Sequence, residues 1–300
     1  MTPLLEAKQL TKRYGSTIAL ESVDLKVYEG ITGLLGANGA GKSTAIKLFL
    51  GLLKPTSGTA EVMGQESFES VEVRACLGYM PEHDCLPSSL SAAEFLTHMA
   101  EVSRLPTIHA RTRAADVLRH VGLAEERYRA LGGYSTGMKQ RVKLAQALVH
   151  DPTIVLLDEP TAGLDPRGRE EMLDLIWRTG KECGISLLLS SHLMGDIEHT
   201  CDRIIVLEGG HVMEEGAVSG LTSETQTILI ELETKRNEVL GILKGQGIKA
   251  TVEGSLIVVE LEGEEQYDAM RDAIVGAEAR LRRLTPRRHT LSEVFQDTAS

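Results

Sequence analysis

No stretch of the 300 residues approaches the roughly 20 consecutive apolar residues that a membrane-spanning helix needs. Met1 to Glu6 also lacks the charged and apolar regions of a signal peptide, so the chain is expected to be soluble and cytosolic unless another protein carries it to a membrane. Basic charge is short as well: 32 Lys and Arg stand against 43 Asp and Glu, for a formal net charge of -11. That balance argues against nucleic-acid binding through a general basic field, which needs clustered cations. The one basic cluster, Arg280, Arg282, Arg283, Arg287 and Arg288, reads as a solvated face or a local contact for an acidic partner. Cysteine is scarce. Cys76, Cys85, Cys183 and Cys201 form no CxxC pair, so neither a zinc site nor a disulfide framework is indicated, and a reducing compartment fits.

What remains is an ordinary globular composition, 42% apolar and 25% charged. The length suits one large domain, or one of roughly 200 residues with a smaller companion. Leu4 to Tyr28 alternates apolar and polar residues (Leu20, Val23, Leu25, Val27) as a half-buried antiparallel strand does, and Ile31 to Leu35 is a short apolar strand running into glycines. A helix is predicted from Ser43 to Leu53, ended by Lys54-Pro55 and the Ser57-Gly58 turn. From Ser88 to about Gly122 the spacing turns helical: Leu96, Met99 and Ala100, then Ala114, Val117, Leu118 and Val121. This block reads as an inserted helical subdomain, about 88–150. Thr153 to Leu157 and Ile185 to Leu189 are unbroken apolar strands, as a sheet covered on both faces demands. Arg203 to Glu215 is predicted to be a hairpin turning at Gly209-Gly210. Beyond Ser219 the order β-α-β-β-α-β is predicted, which is ferredoxin-like, with a last helix at Thr290 to Phe295.

Gly36-Ala37-Asn38-Gly39-Ala40-Gly41-Lys42-Ser43 satisfies the phosphate-binding loop pattern in full, between an apolar strand and a helix. Glycines let successive backbone N–H groups face an anion, and the helix start adds its dipole. Lys42 is placed to reach the β- and γ-phosphates, and Ser43 to hold Mg²⁺ with Thr44 close by. Asp158 and Glu159 end an apolar strand, and neighbours on a strand point to opposite faces. Asp158 is therefore assigned to the Mg²⁺ shell and Glu159 to the attacking water as general base. The bland alternative, a charged strand end meeting solvent, loses ground because a phosphate loop is present. His192 follows Ser190-Ser191 at the end of the other buried strand, within reach of a γ-phosphate.

Tyr134-Ser135-Thr136-Gly137-Met138-Lys139-Gln140 opens a second helix. Ser135 and the backbone at Gly137 can present hydroxyl and N–H donors to an anion, or Ser135 can simply cap its own helix. Two phosphate-capable helix starts separated by a helical insertion are served more simply by two chains packed head to tail than by one.

The ordered set of motifs resembles the ABC ATPase family: GANGAGKST resembles Walker A, YSTGMKQ the signature, IVLLDE Walker B, AGLDP the D-loop and SSH the switch-histidine region. The resemblance spans about Leu5 to Gly216. It implies an α/β P-loop fold of ABC ATPase type (mixed sheet core, antiparallel β subdomain, helical subdomain) at 1–220, followed by a small C-terminal α+β accessory domain at 221–300. It further implies that Tyr14 stacks on adenine, Ser135, Thr136 and Gly137 face the other cassette's nucleotide, Asp165 contacts the facing chain and His192 senses the γ-phosphate. ATP and Mg²⁺ are the implied cofactors. The implied partners are a second cassette and a separate transmembrane permease. Three departures stand out. Glu82 occupies the place of the Q-loop glutamine, where a Mg²⁺ contact is expected, Thr136 replaces a signature glycine, and Met138 replaces a polar residue. These resemble a bacterial branch of exporter ATPases for drugs, sodium ions or polysaccharides. The competing reading is a cytosolic ABC-type ATPase acting on ribosomes, DNA or protein assemblies. A single cassette, no long coiled-coil insertion and the acidic balance stand against it. A P-loop kinase leaves the Ser135-Thr136-Gly137 segment without a purpose.

Overall fold

The alternating segment from Leu4 to Tyr28 is two strands, not one. β1 (Leu5–Tyr14) and β2 (Thr17–Val27) pair antiparallel, from Leu5 opposite Val27 to Tyr14 opposite Thr17. The break lies at Gly15, whose φ of +58° is a left-handed value that a side chain resists, so Gly15-Ser16 closes a two-residue hairpin. The computed structural model describes residues 2–221, 224–261 and 265–288. They belong to two compact units, divided in sequence between Val218 and Ser219. The helix predicted at Thr290 to Phe295 lies outside the described residues.

The first unit continues with β3 (Ile31–Leu35), α1 (Lys42–Phe49), β4 (Ser57–Val62), β5 (Gln65–Glu66), α2 (Val71–Arg74) and β6 (Leu77–Met80). Then come α3 (Ala92–Val102), α4 (Thr107–His120), a 3-10 turn at Leu131–Gly133, and α5 (Thr136–Leu148). It closes with β7 (Ile154–Asp158), α6 (Pro166–Glu182), β8 (Ser186–Ser191), α7 (Met194–Thr200), β9 (Arg203–Glu208) and β10 (His211–Ala217), and α8 (Val218–Leu221) carries the division. One sheet has the order β2-β1-β4-β5 and is antiparallel. The other has the order β10-β9-β3-β8-β7-β6; from β9 to β6 its neighbours are parallel, and β10 is added antiparallel at the edge.

Helix α1 ends four residues before its expected limit at Leu53. Gly51, at φ +64°, takes the left-handed position just past the end. There Gly51 N–H bonds to Leu48 O at 3.0 Å and Leu52 N–H to Lys47 O at 2.9 Å, closing the last carbonyls without another turn. A glycine stop, not the later Pro55, decides the length.

The core explains the unbroken apolar strands. Leu34, Leu156, Leu188 and Ile205 of the parallel sheet share one buried cluster with Ile46, Leu48 and Phe49 of α1 and with Leu5, Leu10 and Leu20 of the antiparallel sheet. Helix α1 is thus packed between two sheets. The alternate positions Val155, Leu157, Leu187 and Leu189 are equally buried, so both faces of the parallel sheet are covered. Removing the fully buried Phe49 side chain is expected to cost about 3–5 kcal/mol.

The second unit holds β11 (Glu224–Leu232), α9 (Arg236–Gly245), β12 (Ala250–Glu253), β13 (Leu256–Glu260), α10 (Glu265–Gly276) and β14 (Leu281–Arg288). Its antiparallel sheet has the order β12-β13-β11-β14. This is the split β-α-β arrangement of ferredoxin-like folds. Ile228, Ile230, Ile257 and Val259 pack under Val239, Leu243, Met270 and Ile274 of the two helices. Of the arginine cluster, Arg282 pairs with Glu231 at 3.0 Å, and the side chains of Arg287 and Arg288 lie outside the described set.

Candidate functional site

The register of the parallel sheet assembles the site. β8 lies between β3 and β7, and its last two residues reach both neighbours: Ser191 stands opposite Leu35 and Ser190 opposite Asp158. These are carboxyl ends of strands, where open parallel sheets hold their ligands.

At the end of β3 the chain turns through Gly36, whose N–H bonds to Ser191 O at 3.3 Å, and Ala40 N–H closes back on Ala37 O at 3.1 Å. Gly41 has φ +107°, and a Cβ there would lie 2.6 Å from Ala19 O, so this bend belongs to glycine alone. Helix α1 begins at Lys42 with no side-chain cap and no acidic residue in its first turn. The positive end of its dipole is therefore left to an external anion.

The Lys42 ammonium is buried and donates to Gly36 O at 2.6 Å and Ala37 O at 3.3 Å. It also lies 3.2 Å from Glu159 Oε1, an ion pair without hydrogen-bond alignment, since Oε1 has no aligned donor. The other carboxylate oxygen, Oε2, is 2.9 Å from His192 Nδ1. Glu159 is 7% exposed and sits at φ +48°, a strained position for a residue with a Cβ. Its N–H is secured by Ser190 Oγ at 2.9 Å. Ser190 in turn donates to Asp158 Oδ1 at 2.8 Å, and Ser43 Oγ donates to the same oxygen at 3.0 Å. Sequence neighbours Asp158 and Glu159 thus serve different partners, one below Ser43 and one beside Lys42 and His192.

A cavity of about 360 Å³ opens over this network, lined by Asn38, Gly39, Lys42, Ser43, Thr44, Glu82, Glu159 and His192 among others. Ser43 Oγ in the lining, and Asp158 Oδ1 bonded to it from outside the lining, are hard oxygens that fit Mg²⁺, which takes one or two carboxylates and completes its shell from substrate phosphates and water. Among the described residues no cluster of three or more His, Cys, Asp or Glu could hold a metal unaided. Glu82 reaches the cavity with an exposed side chain, while its carbonyl and that of Pro81 accept from the buried Lys143 ammonium at 2.8 and 2.7 Å. Burial pushes the Lys143 ammonium below its ordinary value. Burial also pushes the neighbouring Tyr79 phenol up to about 12, with the Asp158 charge adding to it.

Not every expected residue joins this cavity. Tyr14 stands half exposed at the hairpin end, with Lys12 Nζ 5.3 Å from its ring centroid, and is not in the lining. Ser135, Thr136, Gly137 and Asp165 line a separate depression of about 640 Å³. Ser135 caps α5 by accepting from Met138 N at 3.3 Å, and Asp165 caps α6 by accepting from Gly168 N at 3.2 Å. The capping role of Ser135 is thus real, and it leaves the outward side of that helix start free.

Sequence reasoning missed several polar residues bonded to the segments around the site. Ser190, Thr161, Asp196, Arg169, Gln140 and Lys143 are scattered over several elements, and only contact in space reveals them. Ser190 carried one signal: a hydroxyl at the closed end of an apolar strand is buried, and a buried hydroxyl needs a partner.

A family model described as ABC transporter matches residues 20–162. The uncharacterized ABC transporter ATP-binding protein YdbJ of Bacillus subtilis (strain 168) is 32% identical over 295 residues, covering 98% of this chain and 94% of its own. The daunorubicin resistance ATP-binding protein DrrA3 of Streptomyces coeruleorubidus is 33% identical over 291 residues, covering 95% and 92%. Among solved structures, the dimeric post-hydrolysis state of the ATP-binding cassette MJ0796, bound to ADP and Pi, matches with a TM-score of 0.65 and 26% identity, over 72% of this chain and 99% of that one.

Proposed function

We propose, for a chain that belongs to the ABC transporter family, that ATP held at Gly36 to Thr44 closes two cassettes head to tail and that its hydrolysis drives export through a separate membrane subunit. Membership makes the chain an ATP-binding and ATP-hydrolysing subunit. The observation that carries the mechanism is the single network joining Lys42, Ser43, Asp158, Glu159 and His192 at the ends of three adjacent strands.

In this reading the loop amides and Lys42 bind the β- and γ-phosphates, and Tyr14 stacks on adenine. Mg²⁺, held by Ser43 and Asp158 with Glu82 nearby, supplies neutralising charge at those phosphates. The γ-phosphate competes for the Lys42 ammonium, which frees Glu159 from its ion pair. Glu159 then takes a proton from water as the water oxygen bonds to the γ-phosphorus; the bond to the β-bridging oxygen breaks, leaving ADP and phosphate. His192 holds Glu159 from the other side and bonds the γ-phosphate.

The second cassette enters through Gly137. A Cβ on Gly137 would meet only Leu164 Cδ2, at 3.8 Å, so its surroundings in this chain leave room for a side chain in the first turn of α5, where glycine is a poor helix former. A phosphate of the facing chain's nucleotide would require it, with Ser135 and Thr136 beside it and Asp165 at the contact. Among the described residues no helix is long and apolar enough to cross a membrane, so a permease provides the passage and holds the chain at the cytoplasmic face. The relative named for daunorubicin resistance supports an exported, drug-like cargo. The C-terminal unit is assigned to dimerisation or regulation, and truncation after Ser219 with loss of the ATP-dependent dimer supports the former.

The test of the whole reading is Glu159→Gln. It should bind ATP normally, lose turnover about 10²–10⁴-fold and accumulate as a dimer on size exclusion with ATP. Undiminished turnover removes Glu159 from catalysis. Co-purification with a multi-span membrane protein supports export; its absence alongside bound ribosomes or DNA favours a cytosolic role.

A further inference from the structure

We infer that Asp196 is a positioning residue for hydrolysis, its buried carboxylate holding the segments of Glu159 and His192 together and fastening both to the D-loop helix α6. The inference rests on the catalytic reading of Glu159 and His192 given above.

Asp196 is 1% exposed. Its Oδ2 accepts from Thr161 Oγ1 at 2.8 Å and from Ser191 Oγ at 3.1 Å, and its Oδ1 accepts from Arg169 Nε at 2.6 Å. The three donors come from three separate segments. Thr161 follows Glu159 by two residues, and the turn between them is closed by Ala162 N–H on Glu159 O at 3.0 Å. Ser191 precedes His192, and Leu193 N–H returns to Ser191 Oγ at 3.0 Å, so one hydroxyl brackets the histidine. Arg169 lies in the first turns of α6, the helix capped by Asp165.

A purely local role does not account for these bonds. Asp196 sits in the first turn of α7, where an acid ordinarily serves its own helix, yet α7 has no side-chain cap and all three bonds of the carboxylate leave the helix. A buried charge is tolerated only when paired and fully bonded, and Arg169 with the two hydroxyls meets that demand. Glu159 in turn needs outside restraint, because its left-handed backbone is strained and persists only where the surroundings over-determine it. Ser190 fixes the Glu159 N–H; Asp196, through Thr161, fixes the chain that leaves it. The position of Glu159 relative to His192 therefore depends on a buried carboxylate that is not in the lining of the cavity over Lys42 and Ser43.

The test uses the full-length chain, with steady-state ATPase kinetics, labelled-ATP titration and thermal melting. Asp196→Asn should lower kcat about 10–100-fold, the scale of an ångström's misplacement, while KM and the ATP dissociation constant stay within about three-fold. Thr161→Val and Ser191→Ala, each removing one bond, should lower kcat about three- to ten-fold on the same scale. Combining Thr161→Val with Asp196→Asn should cost little more than Asp196→Asn alone, because both cut the same link. Normal kcat in a folded Asp196→Asn overturns the inference. So do strictly additive losses, or a kcat that falls together with ATP affinity and melting temperature. If Asp196→Asn does not fold, normal kcat in both single-bond variants overturns it instead. Glu159→Gln, measured alongside, separates the two failures: an inactive Glu159→Gln beside a fully active Asp196→Asn sinks only the positioning role.

Discussion

Two helix starts in this chain face outward with their N–H groups, and they are equipped differently. The start of α1 has a glycine bend, a buried ammonium, a hydroxyl on a carboxylate and a strained glutamate gathered around it. The start of α5 has a cap hydroxyl, an unobstructed glycine and no cation bonded into it. Under the proposed reading the first binds the triphosphate and the second completes the site of a facing chain. Helix α3 offers a third case, because its N-terminus is already satisfied from within: Ser91 and Glu94 form a reciprocal capping box. Three helix starts thus grade from anion-binding through anion-completing to self-satisfied, and the grade follows from which side chains stand within the first turn.

Removing the ammonium should divide the first two starts most sharply. Lys42→Ala is expected to weaken ATP binding to the lone chain about 10–150-fold, the worth of a hydrogen bond to a charged group, read by titration with labelled nucleotide. Gly137→Val should do the opposite. It leaves that affinity unchanged and lowers turnover about 10-fold or more, through loss of a backbone approach worth at least one hydrogen bond to a charged phosphate. If Gly137→Val instead weakens binding to the lone chain, the division between binding and completing collapses. Ser135→Ala should cost about 1 kcal/mol of stability as a lost cap, seen in thermal melts, with a smaller fall in turnover than Gly137→Val.

The smallest effect belongs to α3. The Ser91 N–H and hydroxyl hold the Glu94 carboxyl below its ordinary 4.5. A carboxyl lowered on folding stabilises the protein above its unfolded value and loses that contribution as pH falls through the folded one. Glu94→Gln should therefore melt slightly below the parent at pH 6–7, and the gap should close below about pH 4.5. A gap that does not narrow at all as the pH is taken down from 4.5 would show that the anion is not what α3 uses.

How much of this was legible beforehand depends on the range of the signal. The phosphate loop, the two buried strands and the β-α-β-β-α-β order of the second unit are written in local spacing and periodicity, and they stand where the sequence puts them. The first hairpin was misjudged because the alternation of Val23, Leu25 and Val27 was extended back over Gly15, whose positive φ makes the turn. The end of α1 was misjudged because Pro55 is the louder stop and Gly51 the effective one. Asp158 beside Glu159 could be read as a pair, but not that Ser190 would serve both, since that needs the strand order β3-β8-β7. Lys143 and Asp196 gave no sign at all. A lysine on an amphipathic helix and an acid in a first turn are what solvated surfaces also contain, and their burial is a tertiary fact.

The clasp of Lys143 on the carbonyls of Pro81 and Glu82 makes α5 a lever. One end carries Ser135, and the clasp lies about 10 Å along a shaft of roughly 20 Å, at 1.5 Å of rise for each of its 13 residues. Gln140 adds a second bearing on Ala162 O at 2.9 Å, within the segment that leads from Glu159 to Asp165. A rotation of about ten degrees about the clasp would carry the Ser135 tip by about 2 Å. The helix that starts at Ser135 is thereby bonded to the loop bearing Glu82 and to the segment that leaves Glu159.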